Sequence, residues 1–102
     1  DLVTWYRNTH CLVHHTPRCL IFSIPNEGSP RLAQQGALSG VADLLVAHRA
    51  GDSPVRLIFV EVKTPIGRQS PSQKDFETQA HRLGFEYVIV RSLDEFKKIV
   101  LL

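Results

Sequence analysis

Residues 55–91 read VRLIFVEVKTPIGRQSPSQKDFETQAHRLGFEYVIVR, and the organisation of the whole chain follows from how this stretch divides. Residues 55–63 are dominated by Val, Leu, Ile and Phe, as a strand requires, yet they end on Glu61 and Lys63, two apart and so on one face. Beyond Thr64-Pro65-Ile66-Gly67, Ser70 is followed by Pro71 and, three positions on, by Gln73. That is a capping box with proline at the first helical position. Phe76, Ala80 and Leu83 give this helix one apolar face, and Gly84 supplies its stop. Residues 85–91 alternate as another strand. A helix between two strands normally joins them in parallel, so one pair of the sheet is parallel.

Upstream, residues 41–48 (VADLLVAH) form a second apolar run, and residues 49–54 (RAGDSP) are turn chemistry, which predicts an antiparallel hairpin with residues 55–63. Residues 19–24 (CLIFSI) read as a short buried strand closed by Pro25-Asn26-Glu27-Gly28. A short helix is expected over residues 30–38, and another over residues 1–12 from the spacing of Leu2, Val3, Trp5 and Tyr6. Downstream, Ser92-Leu93-Asp94-Glu95 is a second capping box, followed by Phe96, Ile99 and Val100 on one helical face. The class is α/β, a mixed sheet flanked by helices.

The chain has 102 residues, 43% apolar and 22% charged, which suits a single domain over residues 1–102 with a core that needs no metal or disulfide to hold it. Cys11 and Cys19 are too few for a secreted disulfide framework, so a reducing, intracellular setting is expected. No apolar run approaches the roughly 18 residues of a membrane span. There is no internal repeat and no low-complexity segment. The sequence begins at Asp1 and has no methionine, so a piece of something longer is expected. A net charge of +2 permits a nucleic-acid partner without requiring one.

The chemistry gathers at the strand end. A carboxylate and an amine closing an apolar strand ask for partners or a cation, and Asp43 poses the same question within residues 41–48. If Asp43 pairs opposite Glu61, residues 50–54 form a five-residue loop and both acids emerge on one face, whereas a register shifted by one separates them. Two neighbouring carboxylates favour a hard cation, Mg²⁺ or Mn²⁺, with the Val62 carbonyl as a further oxygen. Lys63 would stand beside the reacting atoms. The plainer reading makes Asp43 an exposed strand start, with Glu61 and Lys63 an ion pair at a sheet edge. Gln73 favours the first reading, because the crossover returns the helix start towards Lys63. Closing the capping box with Ser70 does not exclude that role.

Pro25-Asn26-Glu27-Gly28, Gly40-Val41-Ala42-Asp43-Leu44, Phe59-Val60-Glu61-Val62-Lys63-Thr64, Gly67-Arg68-Gln69-Ser70-Pro71-Ser72-Gln73 and Gly84-Phe85 before a Tyr-Val-Ile-Val strand together resemble the VRR-NUC domain. This is the virus-type replication-repair nuclease branch of the PD-(D/E)XK superfamily. The likeness runs from residue 24 to the C-terminus, with the motifs in the family's order and spacing. It implies a restriction-endonuclease-like αβββαβ core forming one VRR-NUC nuclease domain. The activity implied is that of a metal-dependent, structure-selective DNA endonuclease cutting Holliday junctions or flaps in replication, repair or recombination. A homodimer is implied as well, in the cytoplasm of a bacterium or phage-infected cell, or in a eukaryotic nucleus. Asp43 matches the family's metal-binding aspartate, Glu61 and Lys63 its E-x-K pair, and Gln73 the glutamine of the next helix. Relatives usually carry a further acid on the first helix, and here the only acid before Glu27 is Asp1. A DNA-binding module that keeps the fold without cutting is therefore the alternative.

Arg31, Arg68 and Lys74 are candidates for phosphate contacts, which position a substrate without reading its sequence. Arg82 reads as a surface residue, and His48 and His81 as surface or internally satisfied ones. His10, Cys11, His14, His15 and Cys19 form a local group whose Cys-x2-His-x4-Cys spacing fits no closed zinc site well. The apolar end, residues 99–102, is expected to complete the core or cover a partner.

Overall fold

The computed structural model describes residues 2–13, 16–17, 20–25 and 40–101, with side chains for 2–9, 20–25 and 40–101. Its elements in chain order are α1 (Leu2–Tyr6), β1 (Leu12–Val13), β2 (Thr16–Pro17), β3 (Leu20–Ser23), β4 (Leu44–His48), β5 (Arg56–Val62), α2 (Pro71–Arg82), β6 (Glu86–Val90) and α3 (Leu93–Val100). Among the described residues the main sheet runs β3-β4-β5-β6. The first two pairings are antiparallel and β5–β6 is parallel. The hairpin, the crossover and the mixed sheet expected from the sequence are all present.

Period-two alternation divides the core between the two faces of this sheet. On one face Ile21, Leu44, Val46, Ile58, Val60 and Val90 pack with Tyr6 of α1 and with Phe96 and Val100 of α3. On the other, Phe59, Tyr87 and Ile89 pack with Phe76 and Ala80 of α2 and with Ala42. His48 is buried on the first face, where the Tyr6 hydroxyl lies 2.8 Å from its Nδ1. It is thus an internally satisfied histidine. Arg56 grips Glu86 across β5 and β6 at 2.7 and 2.9 Å, and also donates to the Ile99 carbonyl at the end of α3 at 3.2 Å. The guanidinium holds the Glu86 carboxyl below its ordinary range.

The N-terminal expectation needs correction. The α-helix stops at Tyr6, residues Arg7–Cys11 widen into a π-helical turn, and β1 and β2 then pair as a short hairpin. Asn8, Thr9 and His10 are weak helix formers, and nothing in their spacing sustains an apolar face. The second capping box is only half formed. Ser92 accepts from the Glu95 amide at 3.1 Å, but the Glu95 carboxylate takes the Arg91 amide at 3.3 Å instead of closing on Ser92. At the C-terminus Val100 completes the core while Leu101 is exposed. The helix expected over residues 30–38 lies outside the described residues. No described helix is long and apolar enough to cross a membrane.

Candidate active site

The register decides the site. Leu44 pairs with Val60 as the last rung of the β4–β5 ladder, and Asp43 lies in the bend just before it, where its carboxylate comes within hydrogen-bonding reach of Glu61. The Asp43 carboxylate accepts the Val62 amide at 2.8 Å, so one of its oxygens ends the β4–β5 ladder. The Lys63 amide continues the parallel pairing by donating to the Val90 carbonyl at 3.0 Å, which keeps strand geometry through Lys63 and puts it on the face of Glu61.

Glu61 is 1% exposed, and the Tyr87 hydroxyl donates to it at 3.3 Å. Burial first, then the hydrogen-bonding proximity and charge of the Asp43 carboxylate, push the Glu61 carboxyl up to about 7, against the opposing pull of Lys63 and Tyr87. Tyr87 is itself fixed from behind by Gln69 at 3.4 Å, and Gln69 also donates to Glu77 at 3.2 Å. Burial and the Glu61 charge carry the Tyr87 hydroxyl to about 12, so it acts as a permanent donor.

Lys63 does not pair with Glu61. Its Nζ donates to Gln73 Oε1 at 2.8 Å, and the same oxygen accepts the Ser70 amide at 2.8 Å. Gln73 therefore closes the capping box and holds the amine at once, so its two expected roles coincide in one atom. The helix start is placed there by its own sequence: Ser70 caps the Gln73 amide at 3.2 Å, and Pro71 occupies the first turn. At the other end Gly84, with φ +86°, donates to His81 while Phe85 donates to Ala80, which is a Schellman stop.

Gly40 has a role that its place in the sequence hides. Its φ is +76°, and a Cβ there would overlap the Ser72 backbone and lie 2.7 Å from the Gln73 amide. The chain entering the Asp43 strand thus rests directly on the first turn of α2. Gly40→Ala adds a clash to a disfavoured φ, and a stability loss of about 2 kcal/mol is expected. Urea unfolding monitored by circular dichroism measures it.

Arg68, just before α2, and Lys74, in its first turn, are exposed, while Arg82 is exposed at the far end of the helix. His81 is exposed, its ring edge-on to Tyr87. Asp1, Glu27, Asn26, Gly28 and Arg31 lie outside the described residues, as do the side chains of His10, Cys11, His14, His15 and Cys19. Among the described residues no group of three or more His, Cys, Asp or Glu gathers to hold a metal. Leu2 and Val3 of α1 line a cleft of about 400 Å³ beside Asp43, so the first helix brings aliphatic side chains there and no described acid.

The donors present suit one hard cation. Two carboxylates share one spot, and among the described residues neither is in a salt bridge. Two carboxylates are hard oxygen donors, of the kind that Mg²⁺ or Mn²⁺ takes together with a backbone carbonyl and water. Sequence reasoning missed Tyr87, Gln69 and Arg91. Arg91 Nη1 donates to the carbonyls of Thr64 at 2.7 Å and Gly67 at 2.6 Å, stapling the turn that follows Lys63. An arginine at the end of the last strand is the only sequence signal for this.

No family profile and no curated protein matches the chain by sequence. In three dimensions it is similar to a solved structure described as "VRR_NUC domain protein", with a TM-score of 0.70 and 16% identity, over 98% of this chain and 79% of the other. The fold is therefore VRR-NUC-like: a mixed α/β sheet flanked by helices.

Proposed function

We propose that this domain is a divalent-metal-dependent, structure-selective DNA endonuclease that hydrolyses phosphodiester bonds at branch points such as Holliday junctions or flaps. The observation that carries the reading is the buried Glu61 carboxyl held against Asp43, with Lys63 on the same face and secured by Gln73. The VRR-NUC-like fold supports it as well.

In this reading Asp43, Glu61 and the Val62 carbonyl hold Mg²⁺ or Mn²⁺. A cation so held supplies Lewis-acid stabilisation of the charge that grows on the phosphoryl oxygens. Lys63 orients the attacking water and adds a point charge beside the reacting phosphate. Gln73 keeps the amine in place through the helix cap, and Tyr87 keeps the Glu61 carboxylate aimed. Arg68 and Lys74 take flanking phosphates, with Arg31 a further candidate. One small site cuts one strand, so symmetric cutting of a junction calls for a homodimer with a twofold axis.

A second reading, a DNA-binding module that does not cut, is favoured by the donor count: two acidic side chains, with no third among the described residues. Incubation with a four-way junction and Mg²⁺ or Mn²⁺ separates the two. Nicked strands that disappear with EDTA support the nuclease, whereas a stable complex with intact strands supports the module.

A further inference from the structure

We propose that Ile66 is a wedge that enters the base stack at a DNA branch point beside the scissile phosphate. The inference rests on the nuclease reading and adds the feature by which a branch is told from an unbroken duplex. Ile66 is 90% exposed, more than any other large apolar side chain described. A single exposed aliphatic residue is ordinary. What sets this one apart is the rigidity of its turn. The Gly67 amide donates to the Thr64 carbonyl at 3.1 Å, and Arg91 bridges both carbonyls of the turn. Pro65 fixes its own φ, and Gly67 sits close against the Thr64 side chain and the Lys63 stem. Ile66 cannot fold back onto the core, and it is held in water three residues beyond Lys63 and two before the exposed Arg68.

Aliphatic side chains on a firm support are what DNA-kinking proteins insert between base steps. The cost of opening a step is least where pairing is already broken, so a fixed wedge favours a junction or flap over continuous duplex. Arg68, next to it, provides charge for the phosphate on the same side. The ligand class is therefore duplex DNA with a break in its base stacking.

The test uses junction and flap oligonucleotides carrying 2-aminopurine at the branch, with Ca²⁺ in place of Mg²⁺ to hold back cutting. The parent protein raises the fluorescence on binding. Ile66→Ala loses the rise and lowers the ratio of junction to duplex affinity about tenfold, while Ile66→Leu keeps both. The melting temperature of Ile66→Ala stays at the parent value, because the side chain packs on nothing in the chain. An equal rise with Ile66→Ala, or a parent protein that binds the branch and leaves it dark, overturns the wedge alone. A parent protein that binds no DNA overturns the nuclease reading together with the wedge.

Discussion

On the proposed nuclease function, Lys63→Ala is expected to lower the rate of four-way-junction cleavage about a thousandfold, a loss of roughly 4 kcal/mol of transition-state stabilisation, and to leave junction affinity within a few fold of the parent. The split between chemistry and binding follows from where the amine sits. Gln73 Oε1 anchors it at 2.8 Å on the face that carries Glu61, whereas Arg68 and Lys74, the phosphate candidates, stand outside on the rim of α2. Lys63→Met is the control for packing, since it keeps most of the aliphatic stem and removes the charge. Both variants lose cleavage if charge is what matters. Single-turnover rates and gel-shift titrations with the same junction read the two quantities separately, and undiminished cleavage by either variant removes Lys63 from the mechanism.

The second large effect is on stability and concerns Glu61. Its folded carboxyl titrates at about 7 against an ordinary value of 4.5 in the unfolded chain, so between those values the native state holds a proton that the unfolded state has released. Stability therefore falls as pH rises through this window, and the penalty is complete above the folded value. Its size is roughly 3 kcal/mol for a shift of that extent. Glu61→Gln, uncharged at every pH, escapes it. In metal-free buffer the variant and the parent unfold at similar urea concentrations at pH 5, and the variant is the more stable by about that amount at pH 8. Taking the difference between the two proteins cancels the titrating groups that do not interact with Glu61. Adding Mg²⁺ at pH 8 raises the parent and leaves the variant nearly unmoved. If the difference stays flat from pH 5 to 8, Glu61 ionises normally and the two acids are not pressed together.

Much of this arrangement was legible in local sequence. The capped helix from Ser70, the apolar runs on either side of a Gly-Asp-Ser-Pro turn and the i, i+2 placement of Glu61 and Lys63 are short-range signals, and each reappears in the structure. The hairpin register was left open between two choices, because a five-residue loop does not fix it. Pairing of Leu44 with Val60 resolves it. The contacts that reading along the chain passed over join residues far apart. Gly40 meets Ser72 across 32 positions, Arg91 reaches back 27 to Thr64, and Tyr87 lies 26 from Glu61. None leaves a local pattern, since a glycine before a strand, an arginine after one and a tyrosine within one are each ordinary. The N-terminal segment misled for a different reason: aromatic and β-branched residues at helical spacing do not show where a helix gives out.

Asp43 is both a candidate ligand and the acceptor that finishes the β4–β5 ladder through the Val62 amide. The centre is thus not an ornament hung on a finished scaffold, because the scaffold's last rung is made of it. If Asp43 holds a cation through its other oxygen, as proposed, fraying of that rung would blur the place where the guest sits. On that proposal, ion capture would steady the end of the two central ribbons, and an intact ribbon end would in turn favour capture.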